Sequence, residues 1–204
     1  YQLLGQVGNQ DQVSEEACKP LNKLGNMTLN PCGLIANTFF NDKYTLIQGQ
    51  DVFNQPLEML ETGIAWSSDI EYLFAQPNGF EFQECDACDE TCCQFTAASG
   101  ETYSCSTNNI GVWTDPKTGK CYGYHYPQDL TTQYLYETYP DMINPIEGVT
   151  NEHFIVWMRV ATQPTFRKLY GWFDQDIGPG DTITLEVRSN FVVERFRGTK
   201  SIII

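Results

Sequence analysis

The sequence predicts an all-β fold, an antiparallel β-sandwich-like arrangement with long loops, few short helices and disulfide-stapled insertions. Three observations point that way. Long helical periodicity is scarce, short apolar runs recur between turn residues, and Gly, Pro, Asn and Thr punctuate the whole chain. With 13% aromatic and 19% charged residues, the 204-residue chain has an ordered composition and enough length to bury a sizeable core. No internal repeat or clean linker divides it, so a single domain over 1–204 is expected.

The elements follow in order. Residues 1–17 are Gln-rich, with Leu3, Leu4 and Val7 at a loosely helical spacing that suggests a short helix. A loop between Cys18 and Cys32 precedes an apolar run, Leu34 to Phe40, read as a strand ending at the Asn41-Asp42 turn. Tyr44 to Ile47 reads as a second strand, Gly63-Ile64-Ala65-Trp66 as a compact apolar piece, and Pro77-Asn78-Gly79 as a turn. Residues 84–126 hold most of the cysteines, and Asp115 to Gly119 has hairpin-turn chemistry. Residues 127–150, with three prolines, read as a long surface excursion. Phe154 to Val160 is an apolar run suited to a buried strand. Ile183, Leu185 and Val187 alternate with polar residues, as in a half-buried antiparallel strand that follows the Gly178-Pro179-Gly180 turn. Ser189-Asn190 then turns into another strand, Phe191 to Phe196.

Charge and cysteine content narrow the function. A net charge of −14 repels nucleic-acid phosphates, and no polybasic stretch is present to hold anionic lipid. Eight cysteines point to an oxidising compartment. Asn26-Met27-Thr28 is the one N-x-S/T sequon, so Asn26 is a glycosylation candidate on an extracellular or luminal chain. There is neither a signal peptide nor a spanning segment, and the Tyr1 start and Ser201-Ile202-Ile203-Ile204 end read as those of an excised fragment.

The spacing Cys85-x2-Cys88-x3-Cys92-Cys93, followed by Cys105 and Cys121, admits a zinc site, with His125 nearby. A second knuckle is missing, however, and three disulfides stapling a loop with little core of its own are the simpler reading; no metal or cofactor is expected. Cys92 and Cys93 should bridge to different partners, because a bond between neighbours is geometrically disfavoured. The pairing among these six stays open. Cys18 and Cys32 bracket a turn-rich loop, and a bridge there contributes on the order of 3 kcal/mol.

Catalysis finds little support. Asp69, Glu71, Glu81 and Glu84 offer paired acids for work on a sugar, but no pair stands out. His125 and His153 lack a serine or cysteine in a nucleophile setting. Gly119-Lys120 lacks the upstream glycine of a phosphate loop. The run Asn151 to Gly171 instead concentrates aromatic, aliphatic and basic residues in an acidic chain. Arg159, Phe166, Arg167 and Tyr170 fit a partner-protein anchor; with equal weight, Arg159, Arg167, Lys168 and Lys200 pair with the surrounding Asp and Glu.

Three blocks carry a resemblance. They are Asn30-Pro31-Cys32-Gly33-Leu34-Ile35-Ala36-Asn37 with Phe40-Asn41-Asp42, then Gly63-Ile64-Ala65-Trp66, then Phe154 to Arg159 with Pro164 to Gly171. In that order they resemble the ligand-effect modulator (Cdc50-like) family, the non-catalytic β-subunits of phospholipid flippases, which are type IV P-type ATPases. Gly198-Thr199-Lys200-Ser201-Ile202-Ile203 also looks like the family's approach to its second membrane span. The resemblance implies a two-span membrane glycoprotein of the secretory pathway whose luminal or extracellular β-sandwich-like domain is this chain. It further implies a heterodimer with the catalytic ATPase, support for its exit from the endoplasmic reticulum and for its lipid transport, and a bridged Cys18–Cys32 pair. The chain departs from the pattern at Lys43, which removes a glycan site many relatives carry, and at the cysteine-rich insertion within 80–150. The alternative from another class is a secreted carbohydrate-binding or carbohydrate-processing domain.

Overall fold

The computed structural model describes residues 18–50, 55–96, 100–105, 110–127, 131–179 and 181–204. The helix expected within 1–17 lies outside them. The all-β expectation holds: among the described residues, strands form several small sheets, and helix is confined to three short α-helices and isolated 3₁₀ turns.

β1 (Lys23–Leu24) and β2 (Met27–Asn30) form a hairpin whose two-residue turn begins at Gly25, φ +61°. A positive φ at the first turn position matches strand twist and favours glycine. β10 (Thr132–Tyr134) joins the other side of β2 in parallel, the one parallel pairing among the described strands. β3 (Lys43–Gln48) pairs with β12 (Thr184–Arg188), so the strand read at Tyr44 to Ile47 meets the alternating one read at 183–187. β4 (Met59–Leu60) pairs with β11 (Trp172–Phe173).

The cysteine-rich stretch has its own sheet, β5 (Glu81–Cys85), β9 (Cys121–His125) and β8 (Ile110–Thr114), with β9 central. The β8–β9 turn is the one expected: the Asp115 carboxylate accepts from the Lys117 N–H at 2.9 Å and the Thr118 hydroxyl at 2.6 Å. β6 (Phe95–Thr96) and β7 (Thr102–Tyr103) make a small hairpin beside it. Cys85–Cys92, Cys88–Cys121 and Cys93–Cys105 are joined here, and Cys18–Cys32 closes the β1–β2 loop. Backbone is packed directly on backbone: a Cβ at Gly123 would lie 1.8 Å from the Cys92 carbonyl oxygen. Any side chain there would force β9 off the disulfide loop.

The main hydrophobic cluster lies elsewhere. Ala36, Phe39, Phe74, Leu135, Ile143, Val149, Phe154, Ile155 and Met158 bury one another around the last α-helix. The helices are α1 (Ser67–Tyr72), α2 (Leu135–Thr138) and α3 (Glu152–Met158).

Four expectations are corrected. Phe154 to Val160 is no strand: α3 occupies most of it, begun by the Asn151 side chain accepting from the Phe154 N–H at 3.1 Å. Such a cap satisfies a backbone donor that the first helical turn leaves open. Leu34 to Phe40 contains a 3₁₀ turn, Ala36–Thr38, that buries Ala36 and Phe39 and exposes Leu34 and Ile35. Asn37 holds it by donating to the carbonyls of Pro31 and Gly33 at 3.0 and 2.9 Å. Phe191 to Phe196 ends in a 3₁₀ turn, Glu194–Phe196, instead of forming a strand. Residues 127–150, expected as a surface excursion, supply Tyr134, Leu135, Ile143 and Val149 to the interior.

Candidate partner interface

Helix α3 is the hub on which the sequence blocks converge. At its N-terminus Glu152 turns outward. One carboxylate oxygen accepts from the Gly63 N–H at 2.9 Å, and the other from Ile64 and Ala65 at 2.8 and 2.9 Å. A carboxylate gathering three backbone donors replaces the water those groups would otherwise bind. It fixes the Gly63–Trp66 block against the start of the helix. The block continues into α1, where Asp69 is buried.

Asp69 receives Arg159, the residue just past α3. Arg159 Nε and Nη2 donate to the two carboxylate oxygens at 3.0 and 3.1 Å, a bidentate pair. The guanidinium also lies 4.4 Å from the Trp66 ring centroid, within cation–π range. Trp66 itself is 65% exposed. This unit joins α1 to the end of α3 and presents an aromatic ring and a cation to solvent.

Beyond Arg159 the chain doubles back, and Lys168 secures it. Its ammonium donates to the Val156 carbonyl at 2.7 Å, the Trp157 carbonyl at 3.2 Å and the Arg159 carbonyl. These are acceptors that the last helical turn leaves open, at the end where the helix dipole favours a cation. Burial, and then the neighbouring Arg159 charge, push the Lys168 pKa below its ordinary value. Phe166, Arg167 and Leu169, on either side, stay exposed, Phe166 at 50% and Leu169 at 52%.

Tyr170 turns inward again. Its hydroxyl accepts from the Tyr44 N–H at 3.1 Å, its ring meets Tyr44 edge-on at 4.6 Å, and burial pushes its phenol up to about 12. His153 lies 4.5 Å from the same ring and shares a 2.9 Å hydrogen bond with Glu61. The first block closes the arrangement. Trp157 donates to the Ile35 carbonyl at 3.0 Å, and the Phe40 ring stacks on Trp157 with centroids 6.0 Å apart. Fully buried Asp42 accepts from the Asn190 and Phe191 N–H groups, both at 2.7 Å, and from Lys200.

The four residues singled out on sequence are therefore placed differently. Phe166 and Arg167 present themselves to solvent. Arg159 does so while paired with Asp69, and Tyr170 serves mainly to attach the returning chain to β3. Lys168, expected to pair with neighbouring acids, instead caps helix carbonyls, and sequence reasoning missed Glu152, Asp69 and Asp42 as groups that hold this surface. Only Glu152 carried a readable signal, an acid in the first turn after a capping Asn. His125 is buried in β9, where desolvation lowers its pKa.

Comparison with known proteins covers the full chain. The family model described as the LEM3 (ligand-effect modulator 3) family / CDC50 family matches residues 1–204. Among curated proteins, the chain is 30% identical over 200 residues to ALA-interacting subunit 3 of Arabidopsis thaliana, covering 96% of this chain and 40% of that one. It is 30% identical to Cell cycle control protein 50A of Bos taurus, over 92% of this chain and 43% of the relative. Against Cell cycle control protein 50C of Mus musculus it is again 30% identical, over 100% of this chain and 52% of the relative. The chain thus spans roughly half the length or less of these relatives. Among the described residues no helix is long and apolar enough to cross a membrane.

Proposed function

Because this chain belongs to the LEM3/CDC50 family, we propose that it is the single exoplasmic domain of a non-catalytic β-subunit of a phospholipid-translocating type IV P-type ATPase. In the whole protein the domain sits between membrane spans and faces the lumen or the cell exterior. It forms a heterodimer with the catalytic subunit and supports assembly, exit from the endoplasmic reticulum and lipid transport. Hydrolysis of ATP belongs to the partner.

One observation carries this reading. The blocks at 30–42, 63–66 and 151–171 are far apart in sequence, yet they build one unit around α3 through Trp157, Glu152, Arg159 and Lys168. A unit braced internally by ion pairs and carbonyl caps holds its outer groups in fixed positions. Preorganisation of that kind suits a surface that must fit another protein. Arg159, Phe166, Arg167 and Tyr170 lie along it, and Arg and aromatic residues are favoured at the centres of interfaces. Phe166 and Arg167 make the direct contacts. Arg159 adds a charge at the rim, and Tyr170 positions the segment.

The test is copurification of the full-length protein with coexpressed type IV ATPases. Phe166→Ala combined with Arg167→Ala should weaken recovery of the complex. Truncating an anchor costs about 2 kcal/mol, roughly a 30-fold loss of affinity. The melting of the isolated protein should stay within about 0.5 kcal/mol, because both side chains are exposed. Failure to recover any ATPase with the unsubstituted protein would refute the proposal.

A further inference from the structure

The Asn26-Met27-Thr28 sequon occupies a built position in the fold. Asn26 is the second residue of the two-residue turn between β1 and β2, and it is exposed. The turn projects into open space: a Cβ added to the adjoining Gly25 would meet nothing within 4 Å. Thr28, the third residue of the sequon, lies in β2, where it is paired with Lys23 on one side and Thr132 on the other. From the turn the Asn26 side chain reaches solvent, while Thr28 is held in the middle of a three-stranded sheet.

From this we infer that Asn26 carries an N-linked oligosaccharide, an assignment that rests on the exoplasmic placement proposed above. The Asn26 amide nitrogen bonds to the anomeric carbon of a polyprenyl-diphosphate-linked oligosaccharide. The anomeric C–O bond breaks, polyprenyl diphosphate leaves with the electron pair, and the amide gives up one proton. No oxidation or reduction takes place.

Chain order gives this transfer its opportunity. β10 pairs with β2 in parallel but follows the whole disulfide-rich stretch in sequence. During synthesis the sequon therefore enters the lumen well before its partner strand exists, with the Thr28 backbone still free to be bound by a transferase. After folding, the glycan projects from the hairpin tip without disturbing either strand. It stands beside β1, an edge strand whose Leu24 is 55% exposed. Bulk at that position opposes edge-to-edge strand addition and keeps a protein partner off the hairpin.

The experiment uses full-length protein from a eukaryotic secretory host. It is digested with a glycan-releasing amidase in heavy-oxygen water, and the peptide containing residue 26 is read by mass spectrometry. Conversion of Asn26 to labelled Asp is expected. Asn26→Gln and Thr28→Ala should each lose one oligosaccharide in gel mobility, whereas Thr28→Ser, which preserves the sequon, should retain it. Unmodified Asn26 in protein whose cysteines resist alkylation would overturn the glycan assignment and leave the flippase-subunit reading standing. Unmodified Asn26 together with alkylatable cysteines would overturn both, since the domain would then never have been in an oxidising lumen.

Discussion

The α3 hub and the cysteine-rich sheet solve the same folding problem with different materials. Around α3, nine buried residues, mostly large aliphatics and aromatics, remove apolar surface from water, and buried polar groups are matched one by one. In residues 81–126 the buried apolar positions among those described are Cys92, Cys93, Cys121 and Tyr126. With so few buried apolar side chains among its described residues, the sheet relies more on three bridges that restrict the unfolded chain. One region is held by what its native state gains, the other by what its unfolded state loses.

Reduction should therefore separate the two. The bridges close sequence separations of 7, 33 and 12 residues. By loop-closure entropy each contributes about 2–4 kcal/mol. Breaking all three should unfold residues 81–126, while amides of α3 and of the β3–β12 pair keep their hydrogen-exchange protection. Simultaneous loss of protection in both regions would make them one cooperative unit and erase the contrast.

The converse substitution is Phe154→Ala. Phe154 is fully buried and meets Phe39 and Phe74 edge-on, at 5.9 and 6.1 Å between centroids. Such a truncation costs about 3–5 kcal/mol, read as a lower denaturation midpoint. The three bridges of the sheet should still form and be found by non-reducing peptide mapping. A smaller effect belongs to Glu152→Ala, which strands the N–H groups of Gly63, Ile64 and Ala65. A destabilisation of about 2–3 kcal/mol is expected, with faster exchange at those amides and none at β8 or β9.

The smallest effect is a pH dependence that touches both regions. Burial alone would raise the Glu61 carboxyl, but the hydrogen bond from His153, aided by the charges of His153, Lys117 and Lys43, brings it below its ordinary value of 4.5. A carboxylate depressed in the folded state adds stability above its unfolded pKa and loses it as pH falls through the folded one. Stability should decline with acidification below about pH 4.5, and Glu61→Gln should flatten that part of the profile. Lys117 lies in the β8–β9 turn, so Lys117→Ala should also blunt the slope slightly, linking the sheet to the hub.

Sequence made the sheet-forming segments readable where alternation or turn chemistry was local, as in Thr184 to Arg188 and Asp115 to Gly119. It misled where tertiary packing outweighed pattern. Phe154 to Val160 resembles a buried strand because its β-branched and aromatic residues are contiguous, yet Asn151 caps a helix and residues 154, 155 and 158 share one buried face. Leu34 and Ile35 are apolar but exposed, so Leu34 to Phe40 could not be told from a strand by hydrophobicity alone. At the candidate interface the outer residues were visible as an aromatic and basic run. Of their supports only Glu152, an acid following a capping Asn, left a trace; Asp69 looks like any other acid in an acidic chain until the fold brings it to Arg159.

The Asp42–Lys200 tie has a mechanical meaning. Lys200 donates both to the Asp42 carboxylate and to the Phe191 carbonyl, so the segment from 191 to 200 forms a closed loop outside the load path. Tension entering through residues 201–204 would reach Asp42, at the head of β3, before it could peel β12 from its partner. From Asp42 the neighbouring Phe40 ring passes the strain to Trp157 and so to α3. A pull on residues 201–204 would thus load β3 and α3 together before it reached β12.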